Sequence, residues 1–245
     1  MSDFPGQYLT FQCPTSTIQR PQMRLILIHG YVEAPSIFDN LAPMLLPATL
    51  LPIDLKDEFA RWNPAGRIDA RQLARYLVDY YDITADDVVI GHSMGGWIAI
   101  NIKELTNATT IQLGSWTDQK KINFPVRNLN VLKWMLNSGL TQSTWLRNFF
   151  KKQYPFPESK ALYVQLVDDG RQLSRHYIYQ QQMTLFAPVP LLTVQPDLRI
   201  HARRDNVVFY PAEDCVEVPG DHFSLYCHPE LVAEPILKVL GRVRA

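Results

Sequence analysis

The sequence predicts an α/β fold in which a mostly parallel central sheet is flanked by helices and a helical cap is inserted after the sixth strand. Three observations lead to this prediction. Short apolar runs alternate with helical patterns up to residue 114 and again from residue 191, which is typical of a parallel sheet. A Gly-x-Ser-x-Gly motif directly follows one of these runs, and residues 115–190 hold no convincing buried strand. We therefore expect an α/β core over residues 1–114 and 191–245, with the helical cap over residues 115–190.

The first part of the chain alternates predicted strands with predicted helices. Apolar and β-branched runs predict strands at residues 8–12, 23–28, 49–53, 88–90 and 109–114. Apolar residues at three- and four-residue spacing predict a helix that begins near Ser36, another that begins at Asp69 and a third over residues 97–105. The second strand leads directly into His29-Gly30-Tyr31. A loop at this end of a central parallel strand belongs to a ligand site.

The second part of the chain begins with the predicted cap. Helical patterns occur at residues 126–136, 157–167 and 172–185, separated by proline breakers. Most of the aromatic residues of this region are expected to form the cap's own core. Trp116 is the exception, because it lies just past the end of a strand, where it can face a ligand. Strands then return at residues 198–202 and 214–218, and a closing helix is predicted at residues 229–239.

The chain is organised around Gly91-His92-Ser93-Met94-Gly95, which stands between a β-branched run and a helical pattern. A nucleophilic hydroxyl must project from a tight turn at the sheet edge, so the residues two positions before and after it need to lack a side chain. Gly91 and Gly95 meet this requirement. The five-residue pattern also occurs by chance, but the strand before it and the helix after it favour a nucleophile elbow over an ordinary glycine-rich turn.

Composition disfavours several classes of function. The chain has 24 basic and 24 acidic residues, and no long run of like charge would attract nucleic acid or an anionic membrane. It begins with neither a basic leader nor an apolar signal region, and no stretch is long enough to span a membrane. The three cysteines are scattered without metal-binding spacing, which favours reduced thiols in a cytoplasmic protein. We expect no nucleic-acid partner, no membrane partner, no metal and no cofactor.

Ser93 needs partners, because a serine hydroxyl is a poor nucleophile near neutral pH without a histidine base and a carboxylate that orients the base. His222 follows the last predicted strand, and Asp205 follows the strand before it. Both are therefore expected at the sheet edge where Ser93 stands. The resulting order, Ser, Asp, His, is the one expected for this type of elbow.

Other titratable residues are weaker candidates for these roles. His29 directly precedes the loop at Gly30, and His92 directly precedes Ser93. At both positions the path of the chain is expected to point the side chain into the scaffold. Asp197 comes before its strand and thus lies at the wrong edge of the sheet. Asp54 is interpreted as structural, and Asp221 as a solvated loop charge.

The chain resembles the α/β-hydrolase fold serine hydrolases, of the carboxylesterase and thioesterase kind. Four landmarks carry the resemblance in order over almost the whole length: His29-Gly30-Tyr31, Gly91-His92-Ser93-Met94-Gly95-Gly96, Arg204-Asp205-Asn206-Val207-Val208 and Gly220-Asp221-His222-Phe223. The resemblance implies that Ser93 is the nucleophile, His222 the base and later the acid, and Asp205 the orienting carboxylate. It also implies that the backbone amides of Tyr31 and Met94 form the oxyanion hole.

The expected activity is cofactor-independent hydrolysis of a small-molecule carboxylic ester through an acyl-enzyme on Ser93. Gly30 and Trp116 are the expected substrate-binding residues, Gly30 because its backbone can approach a substrate oxygen. An acyl thioesterase fits the same residues, so a small-molecule thioester is an equally suitable substrate. A catalytically inactive ligand-binding protein of the same fold is the alternative from another class, and a lyase that uses the same three residues is a further one.

Overall fold

The computed structural model describes residues 23–243, which form a six-stranded sheet flanked by helices. The strands are β1 (Arg24–Ile28), β2 (Thr49–Ile53), β3 (Val88–His92), β4 (Thr109–Leu113), β5 (Leu198–Ala202) and β6 (Val216–Val218). Their order across the sheet is β2-β1-β3-β4-β5-β6, and all neighbouring pairs are parallel. The predicted α/β class is confirmed, and the strand predicted at residues 8–12 lies outside the described residues.

Nine α-helices occur within residues 23–243. They are α1 (Leu55–Trp62), α2 (Ala70–Tyr81), α3 (Met94–Thr106), α4 (Leu129–Asn137), α5 (Thr144–Gln153), α6 (Lys160–Asp169), α7 (Arg175–Phe186), α8 (Ser224–Cys227) and α9 (Pro229–Val243). None of the helices in this part of the chain is long and apolar enough to cross a lipid bilayer.

The helix predicted near Ser36 is replaced by two short 3-10 helices, Pro35–Phe38 and Ala42–Leu45. Pro43 lacks a backbone N–H and cannot continue the hydrogen bonds of a preceding helical turn, which explains the interruption. The helix predicted to begin at Asp69 is confirmed as α2. The Asp69 side chain accepts the N–H of Gln72 at 2.9 Å, and the Gln72 side chain accepts the N–H of Asp69 at 3.1 Å, which is a capping box.

Two hydrophobic layers enclose the sheet, because alternate residues of a strand point to opposite faces. On one face, Ile26 and Val89 share a layer with apolar side chains of α1, α2, α3 and α7. On the other face, Leu25 and Ile90 share a layer with those of the two 3-10 helices and α9. The central strands are completely buried, and their carboxyl ends meet at one edge of the sheet.

Residues 115–190 carry α4, α5, α6 and α7 and hold no strand, apart from a single bridge between Ile122 and Val208. This segment follows β4, the fourth strand of the described residues. Its division from the core as a separate cap stays a prediction. Helix α5 has no counterpart among the predicted helices, although its apolar residues recur at the four-residue spacing of a helix. The residue that it buries is Arg147.

Several aromatic side chains of this segment lie on the surface, so the expectation that they form an internal core is wrong for them. The indoles of Trp134 and Trp145 are 64% and 72% exposed, and Phe149 and Phe150 are also exposed. Helix α5 contacts α6 and the short helical turn at Leu140–Gln142, which leaves its remaining side uncovered. Tyr154, by contrast, is buried as expected.

Candidate active site

The Gly-x-Ser-x-Gly motif forms a sharp turn between β3 and α3. Ser93 has φ 52° and ψ −119°, a backbone conformation that costs about 1–3 kcal/mol. A β carbon at Gly95 would lie 1.9 Å from the carbonyl oxygen of Ile28, and one at Gly91 would lie 2.3 Å from the backbone of Gly95. Both glycines are therefore required, because β1 and α3 approach the turn too closely for any side chain.

Asp205 and His222 form a buried hydrogen-bonded pair at the carboxyl edge of the sheet. Asp205 follows β5 and His222 follows β6, and Nδ1 of His222 lies 2.8 Å from Oδ2 of Asp205. The other carboxylate oxygen accepts the backbone N–H groups of Val207 and Val208, each at 2.8 Å. These two bonds hold the carboxylate with one oxygen turned toward the imidazole.

The residue before Ser93 and the residue at the end of β4 both lie close to this pair. The ring of His222 lies 4.8 Å, centroid to centroid, from the ring of His92, which precedes the serine. Gly114, at the end of β4, packs against the pair, since a β carbon there would be 3.3 Å from Nδ1 of His222. Among the hydrogen bonds of residues 23–243, none joins Ser93 Oγ to His222. In enzymes without substrate this bond is often long and closes only in the complex.

The charges around His222 favour its protonated form. Burial by itself lowers the pKa of His222, but the carboxylate of Asp205 and its hydrogen bond act in the opposite direction. The carboxylates of Glu33 and Asp221 add to this effect, so the pKa of His222 lies above its ordinary value. Burial raises the pKa of Asp205, yet the charge and hydrogen bond of His222 outweigh burial and hold it below its ordinary value. Asp205 is thus ionised, and His222 is suited to take up a proton.

The backbone amide of Met94 lies next to Ser93, at the N-terminus of α3. Met94 is the first residue of α3, where an N–H group has no acceptor within its own helix. The first bonds at this end of the helix run from the N–H groups of Gly96 and Trp97 to the carbonyl of Ser93. The partial positive charge of a helix N-terminus also favours an anion at this point.

Helix α7 makes hydrogen bonds to the loop that carries Tyr31. Val32, the next residue, has φ 60° and donates its N–H to Oε1 of Gln181 at 2.7 Å. The Tyr31 hydroxyl accepts a hydrogen bond from Nε2 of Gln182 at 3.2 Å. Burial raises the pKa of Tyr31 to about 12, so this hydroxyl stays neutral. Helix α7 therefore sets the position of the loop whose amide is predicted to bind the oxyanion.

Glu33 is the site residue that the sequence-based predictions missed. Its buried carboxylate accepts the N–H of Gly30 at 2.6 Å and faces Nδ1 of His92 at 2.9 Å. A β carbon at Gly30 would lie 2.7 Å from the same carboxylate oxygen, so this glycine makes room for Glu33. A lone acidic residue in the otherwise uncharged stretch after His29 was the signal that could have identified it.

Asp221 is a buried anchor, so the interpretation as a solvated loop charge is wrong. It is 3% exposed, and its carboxylate accepts hydrogen bonds from the hydroxyl of Tyr154 at 3.0 Å, from Ser159 Oγ and from the N–H of Phe223 at 2.8 Å. Both hydroxyls belong to the helical segment 115–190, so Asp221 ties that segment to the loop of His222. Its partners lie 62 and 67 residues away in sequence, which hides them from local patterns.

Trp116 is buried, and the residue before it contacts Ser93. It is 2% exposed and its ring lies 6.5 Å from that of Trp97, nearly parallel to it. It follows Ser115, whose hydroxyl donates to the carbonyl of Ser93 at 2.7 Å. The indole N–H of Trp116 has no hydrogen-bond partner within residues 23–243. Substrate binding by Trp116 stays a prediction, and an acceptor atom of a ligand would satisfy this donor.

Three of the weaker candidates, His29, Asp54 and Asp197, occupy the structural places predicted for them. Nε2 of His29 accepts the N–H of Leu55 at 3.0 Å, and the Asp54 side chain caps the first turn of α1. Asp197 accepts the N–H of Thr110 at 2.7 Å, near the start of β4. This position is at the opposite edge of the sheet from Ser93.

The helical segment closes over the site. Ser93 and His222 are 5% and 4% exposed. The indole N–H of Trp97 donates to the carbonyl of Thr184 in α7 at 3.2 Å. Gly170 packs so closely on the loop of Tyr31 that a β carbon would lie 2.8 Å from a methyl group of Val32. These contacts shield Ser93 and His222 from solvent.

Comparison with solved structures establishes the fold. The chain is similar to MenH from Staphylococcus aureus, at 15% identity and TM-score 0.64, over 91% of this chain and 95% of that one. It is also similar to a hydrolase from Oleispira antarctica, at 12% identity and TM-score 0.64, over 89% and 91% of the two chains. A thermophilic esterase from Thermogutta terrifontis matches at 13% identity and TM-score 0.62, over 91% of both chains.

No protein-family model matches the sequence, and no curated protein is similar to it. The solved structures that resemble the chain include esterases, a lipase and a thioesterase, all of low sequence identity. Likeness at this level shows the fold. The chain has the α/β-hydrolase fold.

Proposed function

We propose that the protein is a serine hydrolase that cleaves a carboxylic ester, with Ser93 as nucleophile, His222 as base and Asp205 as the orienting carboxylate. The observation that supports this most is the convergence of three loops at one sheet edge. The strained turn of Ser93 follows β3, and the hydrogen-bonded pair comes from the loops after β5 and β6. A buried Asp–His pair beside a serine is the arrangement that activates a hydroxyl group for attack on a carbonyl carbon.

In the proposed reaction, Ser93 Oγ attacks the ester carbonyl carbon while Nε2 of His222 takes the hydroxyl proton. The tetrahedral intermediate then loses the alcohol, which receives that proton from His222, and the acyl group stays on Ser93. Water attacks the acyl-enzyme with His222 again acting as base, so the acid is released and the serine restored. Asp205 remains ionised throughout and stabilises the imidazolium.

The backbone amides of Tyr31 and Met94 are the proposed donors to the oxyanion of the intermediate. Loss of one such donor typically lowers kcat about a hundredfold or more. The closed cover over Ser93 favours a substrate that is enclosed during the reaction, which limits side reactions with water.

The test uses chromogenic esters from acetyl to dodecanoyl and a fluorophosphonate probe that reacts with activated serines. We expect wild-type protein to hydrolyse part of the ester series and to carry the probe on Ser93, identified by mass spectrometry. Ser93→Ala should lose both, while Ser36→Ala, at an exposed serine, should keep both. A folded wild-type protein with neither turnover nor labelling would contradict the proposal and favour an inactive ligand-binding protein of this fold.

Acyl thioesters of the same chain lengths, assayed in parallel, separate the two substrate classes. We expect higher kcat/KM for the oxygen esters. A consistent preference for thioesters would instead assign the protein to the acyl thioesterases, and the roles of the three residues would be unchanged.

A further inference from the structure

Glu33 and His92 link three parts of the site that come from distant stretches of chain. Oε2 of Glu33 accepts the N–H of Gly30 at 2.6 Å and lies 2.9 Å from Nδ1 of His92. The other ring nitrogen of His92, Nε2, lies 2.9 Å from the backbone carbonyl oxygen of His222. Glu33 and His92 are 8% and 0% exposed, so this chain of hydrogen bonds is shielded from water.

The ring of His92 is held between two oxygen atoms. A backbone carbonyl can only accept a hydrogen bond, so Nε2 of His92 carries a proton and donates it to the carbonyl of His222. Nδ1 faces the carboxylate of Glu33. Burial by itself raises the pKa of Glu33, but its interactions with His92 and the N–H of Gly30 outweigh burial and hold that pKa below its ordinary value.

We propose that Glu33 is a positioning residue: its carboxylate holds the ring of His92, which in turn holds the backbone of His222, and the same carboxylate holds the amide of Gly30. The proposal rests on the proposed function. Gly30 precedes Tyr31, whose amide is the proposed oxyanion donor, and His92 precedes Ser93. One buried carboxylate thus sets the base, the nucleophile and the oxyanion loop relative to one another. Such groups must be held within roughly 0.5 Å of their productive geometry.

Glu33 also acts on His222 through space. Its carboxylate, a ring nitrogen of His92 and a ring nitrogen of His222 all lie within 4.8 Å of one another. The charged and titratable groups that face His222 are the carboxylates of Asp205, Asp221 and Glu33 and the rings of His92 and His201. Neutralising Glu33 removes one of the carboxylates that raise the pKa of His222.

One glutamate and two histidines are also common ligands of Zn²⁺. In this structure the atoms are engaged with one another, because Glu33 Oε2 bonds to His92 Nδ1 and His222 Nδ1 bonds to Asp205. A metal ion bound there would break the contact between Glu33 and His92. The hydrogen-bonded arrangement is therefore the better interpretation.

The first experiment is NMR of protein labelled with ¹⁵N-histidine, which reads the hydrogen bonds of a histidine ring without any turnover. We expect the Nε2 proton of His92 to be protected from exchange with water in wild-type protein, with the signals assigned by His92→Gln. In Glu33→Gln this proton should exchange faster, because the ring loses the carboxylate that holds it. A His92 ring proton that exchanges equally fast in the two proteins, or a His92 signal that changes on addition of EDTA, would overturn the proposal. These outcomes do not depend on whether Ser93 is a nucleophile.

The second experiment is the pH dependence of kcat/KM in Glu33→Gln, an almost isosteric change. We expect the acid limb of the profile to move to lower pH, and kcat to fall at least tenfold with KM little changed. The double variant Glu33→Gln/His92→Gln should be no worse than the more damaging single variant, because the two residues act as a unit. If wild-type protein neither turns over nor labels at Ser93, the proposed function fails, while the NMR result still decides whether Glu33 holds the ring of His92.

Asp87→Asn is the matched control for loss of a buried ion pair. Asp87 pairs with Arg24 at 2.7 Å, ahead of β3 at the opposite edge of the sheet. Both variants should lower the Tm, but Asp87→Asn should leave kcat and the pH profile unchanged. If Glu33→Gln behaved like this control, with lower Tm and an unshifted pH profile, its role would be structural only and the proposal would be wrong.

Discussion

Oδ2 of Asp205 lies 2.8 Å from Nδ1 of His222, so this carboxylate dictates which nitrogen of the imidazole carries the proton. With Nδ1–H bonded to Asp205, Nε2 is left as the nitrogen that can accept a proton from Ser93. Asp205→Asn replaces the acceptor by an amide that also donates, which favours the wrong tautomer.

We expect Asp205→Asn to lower kcat by about ten-thousandfold while the protein stays folded. Ester hydrolysis and a thermal unfolding curve, measured on the same sample, check this. Asp197→Asn is the control, since Asp197 lies at the opposite edge of the sheet and should leave kcat unchanged. If Asp197→Asn lost activity and Asp205→Asn kept it, Asp197 would be the carboxylate that orients the base.

The pH profile follows from the pKa of His222. Because the Asp205 carboxylate and its neighbours outweigh burial, this pKa lies above its ordinary value of 6.5. The base must be neutral to act, so kcat/KM should rise with pH through a midpoint above 6.5. The raised pKa also means that protonated His222 contributes stability at low pH, which is lost as the pH rises through the same range. A kcat/KM profile that is flat down to pH 5 would contradict this prediction.

The elbow glycines provide a steric prediction. Gly95→Ala places a β carbon 1.9 Å from the carbonyl oxygen of Ile28, so we expect a stability loss of about 3 kcal/mol or more and no activity. Gly241→Ala is the control, because no heavy atom lies within 4 Å of the new β carbon in α9. There we expect a gain of about 0.5–1 kcal/mol. Denaturant unfolding measures both, and an active, stable Gly95→Ala would refute the close approach of β1.

The contact between α7 and the oxyanion loop predicts a difference between two adjacent glutamines. Gln181→Leu leaves the N–H of Val32 without its acceptor, which should cost about 1–3 kcal/mol. Gln180→Leu removes a buried amide nitrogen that has no partner within residues 23–243, so its stability should change by less than about 0.5 kcal/mol. Urea unfolding of the two variants tests this. Equal losses would show that the Val32 bond does not hold the loop.

Local patterns were sufficient for most of the regular elements. Strand β5 was predicted with its observed bounds, because an apolar run flanked by residues that interrupt regular structure is typical of a strand. Asp69, a residue type that caps helices, predicted the start of α2 within one residue. Helix α1 escaped prediction because it turns mainly Leu55, Glu58 and Phe59 inward, too short an apolar stripe to stand out.

By itself the sequence determined the strand, turn and helix around Ser93 and the placement of Asp205 and His222 after the last two strands. These follow from side-chain periodicity and from the rule that parallel strands end at one edge. Only the tertiary structure decided the partners of Glu33, His92 and Asp221, the burial of Trp116 and the exposure of Trp145. Their partners lie far away in sequence, so whether a polar group is buried or an aromatic ring is covered depends on which segments pack together. A local sequence pattern does not predict which segments pack together.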